Sequence, residues 1–260
     1  MSHLGRHVLQ RHPIPMSCHF EHSLVLAYAL PAEVLAPLVP RGLELDTYDD
    51  RWGFVAIAVV QTRGLRPTRL PAVLGGDQAL TGYRIFVRHR DARGRTRRGL
   101  HVLRSDTDRC VVHRGGNVLT HYRYRRAAID VVATDRRLAI RIASHRGEAD
   151  LDVMARLDEA PAELPASSPF RSMRDARRFA GPLPWTFDRE EATDSIVVVH
   201  GHRTAWRPHP VAVEVSRCTF LDRAPFAGHG RLANAFHVAD IDYGWERGRC
   251  EPIALAGAAS

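Results

Sequence analysis

Lysine is absent from this 260-residue chain, and all 37 of its basic residues are arginine. Without an ε-amino group no side chain can form a Schiff base to a carbonyl, link pyridoxal phosphate or serve as the lysine of a Walker-type phosphate loop. Arginine replaces none of these functions, because its guanidinium stays protonated at physiological pH. A GC-rich coding sequence favours Arg, Ala, Gly and Pro codons and accounts for the bias itself; the chemical exclusion holds under any cause. Closely spaced cysteines are missing too. Cys18, Cys110, Cys218 and Cys250 lie far apart with no CxxC pair, so neither a disulfide framework nor a zinc ribbon is indicated. No GxSxG nucleophile elbow occurs. The longest apolar stretch, residues 23–39, is broken by Pro31, Glu33 and Pro37 well short of a membrane span. It also begins late for a signal peptide. A bacterial-type cytoplasmic protein with reduced, mostly buried thiols and no membrane contact is expected.

What is present suits a sizeable core: 45% of residues are apolar, enough for one large domain or two small ones. The formal charge is +8. Residues 1–21 mix His, Arg and Pro without period and read as a lead-in. A buried strand is expected over 24–30, then a short helix opening at Pro31, where proline is tolerated. Strands are expected next over 43–48 and 52–62, and a Gly- and Pro-rich loop over 64–76. Segments 83–89 and 99–103 flank an arginine-rich stretch that reads as a hairpin with an exposed basic tip. Further strands are expected over 109–113, 118–124, 128–133, 138–144, 195–200, 211–218 and 235–241. Residues 160–168 read as a linker, and a helix capped by Ser168 carries Phe170, Met173, Ala176 and Phe179 at near-helical spacing. The tail from Cys250 is expected to fray. No repeat is visible. This strand-dominated α+β chain, mainly β with a few short helices, favours a barrel or rolled antiparallel sheet.

Several groups could carry chemistry. Strand alternation puts Arg84 and Arg88 on one face with Phe86, and an inward guanidinium there would hold a carboxylate bidentately. The seven arginines from Arg84 to Arg98 would suit phosphate contacts, yet no helix-turn-helix, RNP-type aromatic pair or zinc-finger spacing accompanies them. A solvated tip that discourages edge-to-edge association is the better reading, and nucleic acid is not the expected partner. His200 and His202 share one side of a strand with His209 close behind, and Cys18, His19 and His22 form a second group. Neither holds a full ligand set in sequence, so no metal or other cofactor is expected. His121 and Tyr122 could transfer protons if they face a pocket, as could His101.

The run Leu30-Pro-Ala-Glu-Val-Leu-Ala-Pro-Leu-Val-Pro-Arg-Gly-Leu-Glu-Leu-Asp46, the apolar strand 52–60, the strand carrying Arg84 and the strand at 98–103 together resemble the acetoacetate decarboxylase-like superfamily. The chain is most similar to the superfamily's uncharacterised YqjF-like branch, a domain of unknown function. The Ser168–Phe179 segment and the Trp206–Pro210 segment fit that branch as well. The likeness spans residues 22–245 and implies a single large antiparallel β-barrel domain over 22–249, with a central cavity and a few surrounding helices. In the decarboxylases a cavity lysine forms an imine with a β-keto acid, assisted by glutamates and an arginine. This chain departs at that step, with His121 or Tyr122 standing at the lysine's position. It departs again before the Arg84 strand, where Leu80 and Thr81 stand in place of the branch's acidic residue. Carry-over therefore reaches only Arg84 and Arg114.

The expected function is binding of a small organic anion, an oxo acid or carboxylate, by Arg84, Arg114 and Phe86. An enzyme built this way would be a lysine-independent lyase, isomerase or hydrolase using His121, Tyr122 or His101 as proton carrier. A non-catalytic ligand-binding or interaction protein is the alternative, and homo-oligomerisation is left open.

Overall fold

A computed structural model describes residues 7–161, 163–181 and 183–253. Its strands are β1 (Met16–Pro31), β2 (Glu44–Leu45), β3 (Trp52–Pro67), β4 (Gly76–Arg90), β5 (Thr96–Thr107), β6 (Tyr124–Ala133), β7 (Arg137–Ser144), β8 (Leu151–Arg156), β9 (Trp185–Glu190), β10 (Ser195–Arg203), β11 (His209–Pro210), β12 (Ala212–Cys218), β13 (Arg231–Trp245) and β14 (Arg249–Pro252). Three short helices accompany them: α1 (Ala32–Leu35), α2 (Cys110–Leu119) and α3 (Met173–Phe179). None is long and apolar enough to cross a membrane.

The long strands form a ring. β1 pairs with β3 and β13, β3 with β4, β4 with β5, β5 with β9, β9 with β10 and β10 with β13, so the hydrogen-bonded path returns to its start. All these pairs are antiparallel except β5–β9. Residues 53–60 of β3 are buried on both faces, which suits a strand packed between a ring interior and outer elements. A wing of β6, β7, β8 and β12 leaves the ring through a parallel pairing of β6 with the end of β5. In β7, Leu138, Ile140 and Ile142 are buried between exposed Arg137, Ala139 and Arg141, so one face packs and the other meets water. The Tyr83 hydroxyl donates to the Ala149 carbonyl at 3.0 Å and ties ring to wing.

Some sequence expectations need correction. The strands expected over 109–113 and 118–124 give way to α2, where Val111, Val112, Gly115, Val118 and Leu119 follow a helical rather than a two-residue period, and to the bend over 120–123 that leads into β6 at Tyr124. Gly116 is required there: a Cβ would lie 2.4 Å from the Tyr124 ring. The helix expected from Ser168 starts at Met173, where the Ser172 hydroxyl accepts from the Asp175 amide at 3.1 Å. Ser168 instead accepts from the Phe170 amide within a turn. β1 begins at Met16, inside the expected lead-in, because its backbone pairs on both sides with β3 and β13. β14 occupies the start of the expected frayed tail by pairing with β10, and residues 254–260 lie outside the described ones.

Asn117 anchors the start of β6 to α2. Its side-chain amide donates to the Tyr124 carbonyl and accepts from the Tyr124 amide, both at 2.8 Å. Asn117→Ala strands two partly buried backbone groups and is expected to cost about 1–2 kcal/mol in urea unfolding. An unchanged midpoint would mean that Tyr124 is held by other contacts.

Candidate functional site

The ring encloses a cavity of about 100 Å³, and the residues that shape it come from alternate positions of its strands. Ala56 and Ala58 keep the β3 wall low, and Arg84 and Phe86 face it from β4. The β4–β5 register shifts between Tyr83 and Arg84, the kind of irregularity that re-aims a side chain. Arg84 then folds back over Gly82: a Cβ at that position would lie 2.5 Å from Arg84 Nε. Glycine at 82 is therefore what lets the guanidinium lie against the strand.

A second arginine, Arg203 at the end of β10, lines the same cavity and stacks over the Trp206 ring at 4.4 Å. Burial lowers its pKa, and the nearby Tyr243 opposes that shift. Tyr122, Tyr124 and Tyr243 complete the polar wall. Burial raises the pKa of each, and Arg84 acts against that rise in all three. Tyr124 is pushed up to about 12. Tyr243 feels both Arg84 and Arg203, so the two cations converge on one phenol. At neutral pH all three tyrosines are protonated donors. The Tyr122 hydroxyl, on which Thr186 is the acting polar side chain, and the Trp206 indole nitrogen are buried without a well-formed hydrogen bond. Among the described residues no Asp, Glu, His or Cys lines this cavity, and no carboxylate lies within ion-pair distance of Arg84.

The sequence-predicted residues divide sharply. Arg84, Phe86 and Tyr122 meet at the cavity. Arg114 does not: it is exposed on α2, whose inward face is built by its glycines and apolar residues. His101 lies on the opposite face of β5 from Leu100 and Val102, which line the cavity. It is buried, with Nδ1 3.1 Å from the Phe187 carbonyl, and burial lowers its pKa. His121 is directed away from the cavity toward His12, and burial lowers its pKa too. His200, His202 and His209 are not assembled. His200 is bound to Glu246 at 3.0 Å, His202 and His209 are exposed, and no group of three or more potential ligands among the described residues could hold a metal ion. Cys18 is buried with its thiol pushed up to about 12, His19 pairs with Asp242 and His22 with His237. In the basic hairpin, Arg95 pairs with Asp91, Arg97 with Glu251 and Arg98 with Asp46, and Arg88 lies 3.7 Å from Asp46.

Sequence reasoning missed Arg203, Tyr124, Tyr243 and Trp206. The available signal was an arginine closing an apolar strand three residues before Trp206, where a segment noted for its family likeness begins.

A larger cavity of about 650 Å³ adjoins the first. It lies against α2 and the end of β3, and Leu80, Tyr122, Tyr124 and Trp245 border both spaces.

This strand ring is the acetoacetate decarboxylase-like fold. An acetoacetate decarboxylase from Legionella pneumophila superposes with a TM-score of 0.59 at 13% identity, over 93% of this chain and 89% of that one. An acetoacetate decarboxylase-like enzyme from Sphingomonas wittichii RW1 gives 0.59 at 14%, covering 92% of each chain. The enduracididine biosynthesis enzyme MppR, solved with pyruvate, gives 0.55 at 12%, over 92% of this chain and 90% of that one. No curated protein matches the sequence significantly. The chain belongs to the DUF2071 family of uncharacterised conserved proteins, whose model matches residues 18–240.

The buried rings set two pH limits. Tyr124 contributes stability that is fully present below its ordinary pKa of about 10 and lost as pH rises from there through about 12, and burial moves Tyr122 and Tyr243 in the same direction. Tyrosinate absorbance in the folded protein should therefore lag that of the urea-unfolded chain, and coincident titrations would contradict the burial. His12, pushed down to about 3 by burial, acts at the other end. Its contribution is complete above pH 6.5 and is lost as pH falls toward 3, so His12→Gln should flatten the acid arm of a urea-midpoint profile.

Proposed function

We propose that this protein binds a small organic anion, an oxo acid or another carboxylate, in the inner cavity. One observation carries the reading: two arginines and two buried donors without well-formed hydrogen bonds, Tyr122 and Trp206, face a space whose described lining contains no carboxylate. Arg84 is half-buried with no described carboxylate at ion-pair distance, which favours an anion from outside, and its planar fork is the shape that carboxylates fit. The solved complex of MppR with pyruvate supports an oxo acid as the first compound to try. With no lysine in the chain, an imine at a lysine side chain plays no part.

The same lining favours binding over catalysis. General base work at neutral pH needs a group poised to take a proton, and the described cavity lining offers only phenols held in their neutral form. Should turnover occur, Tyr122 acting as a proton donor beside Arg84 is the arrangement that would support it. Polyanion binding at the hairpin is the weaker reading, since Arg95, Arg97 and Arg98 already have acidic partners.

A thermal-shift screen of pyruvate, acetoacetate and short carboxylates, each against its amide, tests the proposal. The acids should raise the melting temperature and the amides should not, with about 2.7 kcal/mol of added stability at a hundredfold excess over Kd. Arg84→Gln and Arg203→Gln should each abolish the shift. Equal shifts in Arg84→Gln and the unaltered protein would overturn the reading.

A further inference from the structure

The inner cavity is too small to be the whole site. Small-molecule sites usually enclose about 300–1,000 Å³, and about 100 Å³ accommodates little beyond a headgroup. The adjoining vestibule, at about 650 Å³, falls inside that range. Ile14, Met16, Leu65, Leu74, Val112 and Leu119 make most of its wall apolar, with Asp77, Arg109 and Glu246 also on its border, whereas the inner cavity sets Arg84, Arg203 and three tyrosines among its apolar residues.

Three features mark the vestibule as a place built for a ligand. Gly115 of α2 borders it, and a Cβ there would meet nothing within 4 Å; the helix presents a bare face and no side chain fills the gap. Gln78 also borders it, only 7% exposed, with an amide nitrogen that has no hydrogen-bond partner and so awaits an oxygen acceptor. At the mouth, Leu74 and Val111 are 65% and 82% exposed, a large outlay of apolar surface to water. Leu80, Tyr122, Tyr124 and Trp245 border both spaces, so a single layer of side chains separates them.

We propose that the ligand is an amphipathic carboxylate, its head held at Arg84 in the inner cavity and its apolar tail lying in the vestibule beneath α2. This rests on the anion-binding reading above and names the class of anion. Arginine recognises the head, and burial of each methylene strengthens binding until the vestibule is full. The tail passes the shared wall by rotation of Tyr122, whose hydroxyl no well-formed hydrogen bond restrains.

Calorimetric titration of the whole protein with acetate, butanoate, hexanoate, octanoate and decanoate tests the assignment. Affinity should rise about fourfold per added methylene and then level off. Gly115→Leu places a side chain in open space on a helix and is expected to fold at least as well, since leucine is the better helix former. In that variant the rise should stop at a shorter chain. Arg84→Gln should weaken every member of the series. Binding of acetate and decanoate with equal affinity would overturn the tail assignment and leave the anion site standing. Failure of every acid to bind would overturn the anion site and this inference with it. A length-dependent gain unaltered by both substitutions would place the tail elsewhere and also overturn it.

Discussion

A guanidinium held against a cavity wall with no described carboxylate in reach is the constraint around which this fold is arranged. Desolvating a charge costs free energy unless something compensates it, and Arg84 shares its cavity with three buried phenols, whose ionisation it favours, rather than with an acid. Those phenols have to stay in place. Asn117 clamps the Tyr124 backbone, Gly116 makes room for its ring, and Gly82 makes room for the arginine itself. The helix that carries Asn117 also roofs the vestibule, so one ten-residue element sets the polar wall and bounds the apolar space beside it.

Other buried charges are settled differently. Arg104 donates to Asp106 at 2.9 Å and to Glu148 at 3.0 Å, and the Thr81 hydroxyl donates to the same aspartate. That network is closed, with each charge answered inside the chain. The contrast is plain: the closed network joins ring to wing, whereas the cavity lining leaves the Tyr122 hydroxyl and the Trp206 indole nitrogen without well-formed hydrogen bonds.

Much of this was legible in the sequence. Alternation put Arg84 and Phe86 on one face, and the Leu30–Asp46 run carried the likeness that the DUF2071 match and the structural neighbours bear out. The tip of the β4–β5 hairpin was legible because Asp91 and Gly94 form a compact turn. The failures have physical causes. Segment 109–124 contains β-branched valines that mimic strand propensity, while in the fold α2 packs against Tyr124 through Gly116. Arg114 was carried over from the family resemblance alone, and α2 places it on an exposed face. His101 was one residue out of phase with the cavity-facing positions of β5, a difference that sequence cannot resolve without the register to β4 and β9. Arg203 and Tyr243 come from β10 and β13, distant in sequence, and only ring closure unites them.

The lysine-free composition gains its meaning from this geometry. On a fold shared with acetoacetate decarboxylases, the described cavity lining has arginine and tyrosine as its ionisable groups, a set suited to holding an anion. The most direct measurement is a crystal structure of the protein soaked with a bromine-tagged medium-chain carboxylate, whose anomalous signal marks the tail. The account predicts a carboxylate within hydrogen-bond distance of Arg84 and bromine in the space beneath Cys110–Leu119. A carboxylate bound away from Arg84, with the inner cavity unaltered, would contradict it.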